Sequence, residues 1–90
     1  VNNGGGGIFR FIPGPTTTNT LDFFETPHQL TARHLCAMHQ LEYTSVQNEK
    51  ELAGIWSEFY KASSQPKLLE IFTPREINAV VLKGYFNAMK

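Results

Sequence analysis

Ninety residues make at most one small domain, and 41% apolar with 12% aromatic residues is the composition of a core former, not of a disordered tail. Eight Lys plus Arg balance eight Asp plus Glu, so neither nucleic acid nor an anionic membrane is an expected partner. The single cysteine, Cys36, excludes an internal disulfide framework, and no apolar run reaches membrane-spanning length; a cytoplasmic protein is expected.

The chain opens on "VNNGGGGIFRFIPGP". Val1 in place of Met, followed at once by a loop signature, reads as a fragment of a longer polypeptide, with tag or leader processing as the alternative. From Gly4 to Gly7 the backbone is free to take positive φ and to approach a ligand closely. Ile8, Phe9, Phe11 and Ile12 form an apolar turn that Pro13, Gly14 and Pro15 stop. "TTTNT" is polar and aperiodic, an exposed and mobile loop.

"TPHQ" offers a helix start, with Thr26 as N-cap, Pro27 at the first helical position and Gln29 at the capping-box spacing. A helix over about 31–40 follows, with Leu35, Met38 and Leu41 marking one face. "EYTSV" is a short strand. Asn48 with Glu51 repeats the capping logic, and Leu52, Ile55, Trp56, Phe59 and Tyr60 recur at helical spacing as an inward stripe. "KLLEIF" at 67–72 is apolar enough for a strand covered on both faces. Thr73, Pro74 and Glu76 then open a last helix with Ile77, Val80 and Val81 inward. This alternation predicts an α/β fold, a partial three-layer sandwich around a parallel sheet whose other strands lie upstream.

In such a sheet ligands collect at the carboxyl ends of the strands, where a glycine-rich loop leads into a helix. With Val1 ending a strand, Asn2 to Gly7 would be that loop. It has no Gly-Lys-Ser/Thr and lacks the spaced glycines of the dinucleotide fingerprint. Its amide and main-chain oxygens are hard ligands suited to Mg²⁺ or Ca²⁺. Taken alone, a glycine-rich stretch is more often a flexible tail than a metal site.

"NNGGGGIFRFIP", "FFETPH" and "LLEIFTPREIN" together resemble, in the same order and over nearly the whole chain, the thiamine diphosphate-binding domain of the 2-succinyl-5-enolpyruvyl-6-hydroxy-3-cyclohexene-1-carboxylate synthases. The resemblance makes residues 1–90 the C-terminal portion of that domain. It implies a bipartite metal motif with Asn3 as side-chain ligand and Gly5 as carbonyl ligand of Mg²⁺ (or Mn²⁺), the ion bridging the cofactor's diphosphate. Asn3, Gly4, Gly5, Gly6 and Ile8 are the implied cofactor contacts, and Ile8, Phe9 and Ile12 an apolar wall near the substrates. The motif's upstream aspartate is absent, and the glutamate that activates the cofactor is not on this segment, so no catalytic residue is assigned. Gly4 stands where many relatives carry Asn or Asp. Arg10 stands where a small polar residue is common, which leaves the charge around the substrate open.

The resemblance further implies a cytoplasmic homodimer or homotetramer that decarboxylates 2-oxoglutarate and adds the product to isochorismate in menaquinone biosynthesis, the isolated fragment being inactive. Another thiamine-dependent decarboxylase or synthase, and a non-catalytic α/β interaction module, are the alternatives. His34, His39 and Cys36 lack metal-site spacing. His28 belongs to the "TPH" block, as a loop or helix-start hydrogen-bonder or a substrate contact. Glu70, inside an apolar strand, must find a partner or lie at a strand end, and a structural pairing is expected ahead of a catalytic role. Trp56, Phe59 and Tyr60 read as core, and "EKE" at 49–51 as a solvated first turn.

Overall fold

In the computed structural model, which describes residues Val1–Lys90, the chain runs through α1 (Ile8–Phe11), a 3-10 turn at Pro15–Thr17, α2 (Leu21–Glu25), α3 (Arg33–Met38), β1 (Glu42–Val46), α4 (Glu49–Phe59), β2 (Lys67–Ile71) and α5 (Arg75–Ala88). The fold is α/β, as the alternation predicts. It divides into two units, one of Val1–Asn2 with Leu30–Thr73 and one of Asn3–Gln29 with Pro74–Lys90.

The first unit holds the sheet. β1 and β2 pair in parallel, Glu42 opposite Lys67 through Val46 opposite Ile71, with α4 as the crossover. β2 has a second neighbour at its end: the Asn2 N–H donates to the Ile71 carbonyl (2.8 Å) and the Thr73 N–H to the Asn2 carbonyl (3.0 Å), a parallel bridge between Asn2 and Phe72. The chain thus enters the glycine loop from a strand-like pairing, but the bridge falls on Asn2, expected as the first residue of the loop, and not on Val1. β2 is not covered on both faces as expected; Leu68 and Leu69 are half-buried, and Glu70 is its one buried residue.

Asn48 caps α4 as predicted, its Oδ1 accepting the Glu51 N–H at 2.9 Å while Glu51 Oε2 accepts the Gln47 N–H at 2.6 Å. Asn48→Ala is expected to cost about 1 kcal/mol, measured as faster hydrogen exchange in the first turn of α4. The helix packs on both strands, and a sheet only two strands wide covers a narrow sector of it. Leu52, Ile55 and Phe59 take that sector and are half-buried. Trp56 and Tyr60, on its flank, are 48% and 67% exposed and stack edge to face at 5.3 Å, which corrects their reading as core.

Two further helix readings change. α3 starts at Arg33, and its buried residue is Cys36; on the apolar face marked by Leu35, Met38 and Leu41, Leu35 and Met38 are exposed. Apart from Val46 in β1, Cys36 is the one fully buried apolar side chain.

The second unit packs α1 against α2 and α5. Thr26 does not begin a helix. It closes α2 in the left-handed region (φ 48°, ψ 65°), its N–H bonded to the Asp22 carbonyl and its hydroxyl donating back to the Phe23 carbonyl at 3.0 Å. A hydroxyl turned backwards cannot cap forwards, and Pro27 after a helix end is a stop signal. α5 likewise begins at Arg75 on an N-cap of Pro74, so the box expected from Thr73 does not form. Its inner face is Arg75, Asn78 and Ala79, with Phe86 against Phe11 at 5.6 Å between ring centroids. Ile77, Val80 and Val81, expected inward, lie on the opposite, exposed face.

Candidate functional site

The glycine loop folds back on itself and on the end of α2. Gly4 takes φ +75°, a conformation that side chains resist, and its carbonyl accepts the His28 N–H at 2.8 Å. Two residues on, the Gly6 N–H donates to the Glu25 carbonyl at 2.7 Å. These bonds stitch residues 4–6 along residues 25–28, which gives "TPH" a main-chain role: His28 anchors the loop through its N–H, in a loop and not at a helix start.

Glycine is needed at the next positions for space. A Cβ at Gly5 would lie 3.0 Å from the Glu25 carbonyl oxygen and 3.1 Å from its Cγ, and one at Gly6 would meet the Phe9 ring at 3.0 Å. A Cβ at Gly7 would fall 2.5 Å from Asn3 Nδ2, so the Asn3 amide rests on the bare face of Gly7.

The Asn3 and Gly5 oxygens lie in one short loop. Asn3 Oδ1 accepts the Gly5 N–H at 3.2 Å, and the Gly5 carbonyl accepts the Gly7 N–H at 3.1 Å. Each oxygen keeps a second lone pair. The donor set therefore fits a hard divalent cation, but two neutral oxygens hold Mg²⁺ weakly without anionic ligands from elsewhere. No group of three or more His, Cys, Asp or Glu side chains converges on a possible ion, and Cys36 is buried in α3.

Beyond the loop, α1 carries the apolar residues. Phe9 packs on Phe24 at 5.4 Å between centroids; Phe9 and Ile12 are half-buried, and Ile8 is 61% exposed. A cavity of about 410 Å³ opens beside them, lined by Asn3, Ile8 and Phe11 from one side and Asn78 and Leu82 from α5.

Over its whole length the chain is 46% identical, across 91 aligned residues, to the 2-succinyl-5-enolpyruvyl-6-hydroxy-3-cyclohexene-1-carboxylate synthase of Christiangramia forsetii. The synthase of Flavobacterium johnsoniae is 41% identical over 99% of the chain, and that of Porphyromonas gingivalis 41% over 96%. The chain belongs to this synthase family. It spans 16%, 16% and 15% of the length of those three relatives. No family model matches the chain.

In this member of the synthase family the three sequence blocks fall on the glycine loop with α1, on the end of α2, and on β2 with the start of α5. The predicted contacts Asn3, Gly4, Gly5, Gly6 and Ile8 lie along the glycine loop and at the first residue of α1. What sequence reasoning missed is the support beneath it. Glu25 is fully buried, its carboxylate gripped by Arg10 through Nε and, at 3.0 Å, Nη2. Arg75 Nε lies 3.8 Å from the same carboxylate, and its Nη1 is 3.5 Å from the Gly4 carbonyl. The bond to Glu25 holds the Arg10 guanidinium above its ordinary pKa against the opposing effect of burial. The charge that Arg10 brings beside α1 is therefore matched by a carboxylate beneath it. Glu25 and Arg10 are 15 residues apart, a separation at which no local pattern signals pairing.

Proposed function

We propose that the complete polypeptide carrying this chain is a thiamine diphosphate- and Mg²⁺- (or Mn²⁺-) dependent synthase that decarboxylates 2-oxoglutarate and adds the product to isochorismate on the way to menaquinone. The observation that carries this reading is the whole-length similarity to synthases of that name, with identities of 41–46%. The loop supports it independently, because two hard oxygens and a backbone free of side chains are what a metal-bridged diphosphate needs.

In this reading Asn3 Oδ1 and the Gly5 carbonyl hold the divalent ion. Gly4 and Gly6 would meet the diphosphate through their main chain. Ile8, Phe9 and Ile12 shield the reacting end of the cofactor from water and pack against the substrates. The bound cofactor supplies the carbanion chemistry, and the protein positions and polarises it. The anionic metal ligand and the residue that activates the cofactor lie outside these 90 residues, and the enzyme works as a cytoplasmic homodimer or homotetramer.

The test is an assay of the complete polypeptide for isochorismate-dependent consumption of 2-oxoglutarate, with calorimetric titration of thiamine diphosphate in the presence and absence of Mg²⁺. Turnover requiring both substrates, and binding that requires Mg²⁺, are expected. The 90-residue chain alone should show no Mg²⁺-dependent binding; tight binding by it would refute the claim that half the site lies elsewhere. Cofactor binding with turnover of a different acceptor would favour a related thiamine enzyme, and no cofactor binding at all an interaction module.

A further inference from the structure

We infer that Glu25 is a positioning residue for the glycine loop, with Arg10 as its fixed counter-ion. The inference rests on the reading of Asn3 and the Gly5 carbonyl as the metal-holding oxygens. Glu25 meets the loop at two levels. Its main-chain carbonyl takes the Gly6 N–H at 2.7 Å, and its Cγ stands 3.1 Å from the point where a Cβ at Gly5 would project. It is thus the floor under the peptide units on either side of Gly5.

The carboxylate end of the same side chain is fully buried and held on both oxygens by the planar fork of Arg10, a geometry that fixes orientation as well as position. Arg10 lies in α1, which starts directly after the loop, so the pair clamps the loop's exit to its floor. Arg75 and Glu76 complete the group: Arg10 Nη2 is 3.6 Å from Glu76 Oε1, and Arg75 Nε is 3.2 Å from the same oxygen.

Fold stability alone does not account for this arrangement. Glu25 is buried and Arg10 half-buried; an ion pair drawn out of water is a weak source of stability, and replacing both partners with apolar groups of similar volume is often neutral or stabilising. What such a replacement loses is the directional grip. A carboxylate beneath a loop that faces a diphosphate would also repel the ligand unless neutralised, and Arg10 neutralises it.

The experiment uses the complete polypeptide and two variants, the double replacement Arg10→Met with Glu25→Leu and the single replacement Glu25→Gln. Three quantities are read: the melting temperature without cofactor, hydrogen exchange of the Gly5 to Gly7 amides, and calorimetric affinity for thiamine diphosphate at saturating Mg²⁺. The double variant is expected to melt within a few degrees of the parent, to exchange its loop amides at least tenfold faster, and to bind the cofactor at least tenfold more weakly. Should it fail to fold, Glu25→Gln, which keeps the shape and loses the charge, is read in the same three ways with the same expectation for the loop.

A folded variant with parental loop exchange and parental affinity would overturn the inference. Failure of the underlying reading looks different: the parent itself would then bind no thiamine diphosphate, while loop exchange would still decide whether Glu25 positions the loop.

Discussion

Replacing Glu70 by alanine is expected to destabilise the sheet unit by about 3 kcal/mol, seen as faster hydrogen exchange across β1 and β2. The carboxylate is buried and has no cationic partner; neutral donors hold it. Oε1 accepts from Thr31 Oγ1 at 2.6 Å, from Tyr43 OH at 2.7 Å and from the Ala32 N–H at 3.1 Å, while Oε2 accepts from Asn2 Nδ2 at 2.9 Å. Alanine would strip the Ala32 N–H of this acceptor. Thr31 and Tyr43, whose oxygens lie 3.0 Å apart, and Asn2, which also donates to the Leu30 carbonyl, would recover part of the loss.

The same hub predicts an acid limb. Burial pushes the Glu70 carboxyl up, but the bonds from Thr31, Tyr43, Asn2 and the Ala32 N–H outweigh it and bring the pKa down from 4.5 to about 2. Because the native value lies below the unfolded one, the contribution is complete above about pH 4.5 and is lost as pH falls towards about 2. The displacement of about 2.5 units corresponds to at most about 3 kcal/mol. Glu70→Gln should remove this part of the acid limb, so that parent and variant converge in stability near pH 2, separate as pH rises to about 4.5 and differ by a constant margin above it. Equal pH dependence in both would show that the hub does not need the charge.

The need for a partner at Glu70 is legible in the sequence, because a carboxylate in an apolar strand has few other options. Its donors are not, coming from positions as far apart as Asn2 and Tyr43. The same division holds through the chain. "EYTSV" and "KLLEI" are strands within the predicted bounds, since runs of β-branched and apolar residues between breakers leave few alternatives. Asn48 caps where its spacing says, because capping is settled within four residues.

Helix faces were harder to read. An apolar stripe shows which side could be buried, but the width of the surface supplied decides which residues are, and a two-stranded sheet accommodates Leu52, Ile55 and Phe59 without Trp56 and Tyr60. α5 shows the stronger case: its polar Arg75 and Asn78 turn to α1 and the loop, leaving Val80 and Val81 at 71% and 64% exposure. Thr26 failed as a cap for a different reason, since Thr-Pro serves at either end of a helix and only the backbone at Thr26 tells them apart. In the candidate site, the glycine loop was legible and the clamp of Glu25 and Arg10 was not.

Three substitutions in the glycine loop separate its chemistry from its packing. Asn3→Ala removes one of the two proposed metal-holding oxygens. Loss of a group that only supports a ligand typically costs 10- to 100-fold in metal affinity, so loss of the ligand itself is expected to weaken Mg²⁺-dependent thiamine diphosphate binding by about 100-fold or more. Gly7→Ala reaches the same oxygen indirectly: the new methyl would stand 2.5 Å from Asn3 Nδ2, and the flexible amide must swing away. Moving a side-chain end costs the fold little, so this variant should keep its melting temperature while losing most of its cofactor affinity. At Gly5 the obstacle is the Glu25 carbonyl at 3.0 Å, which is backbone and cannot step aside without straining the Gly6 to Glu25 hydrogen bond. Gly5→Ala should therefore cost about 1–3 kcal/mol of stability as well as the affinity. Calorimetry and thermal unfolding on the complete polypeptide distinguish the three, and parental affinity in Gly7→Ala would show that the Asn3 amide does not reach the ion from its place on Gly7.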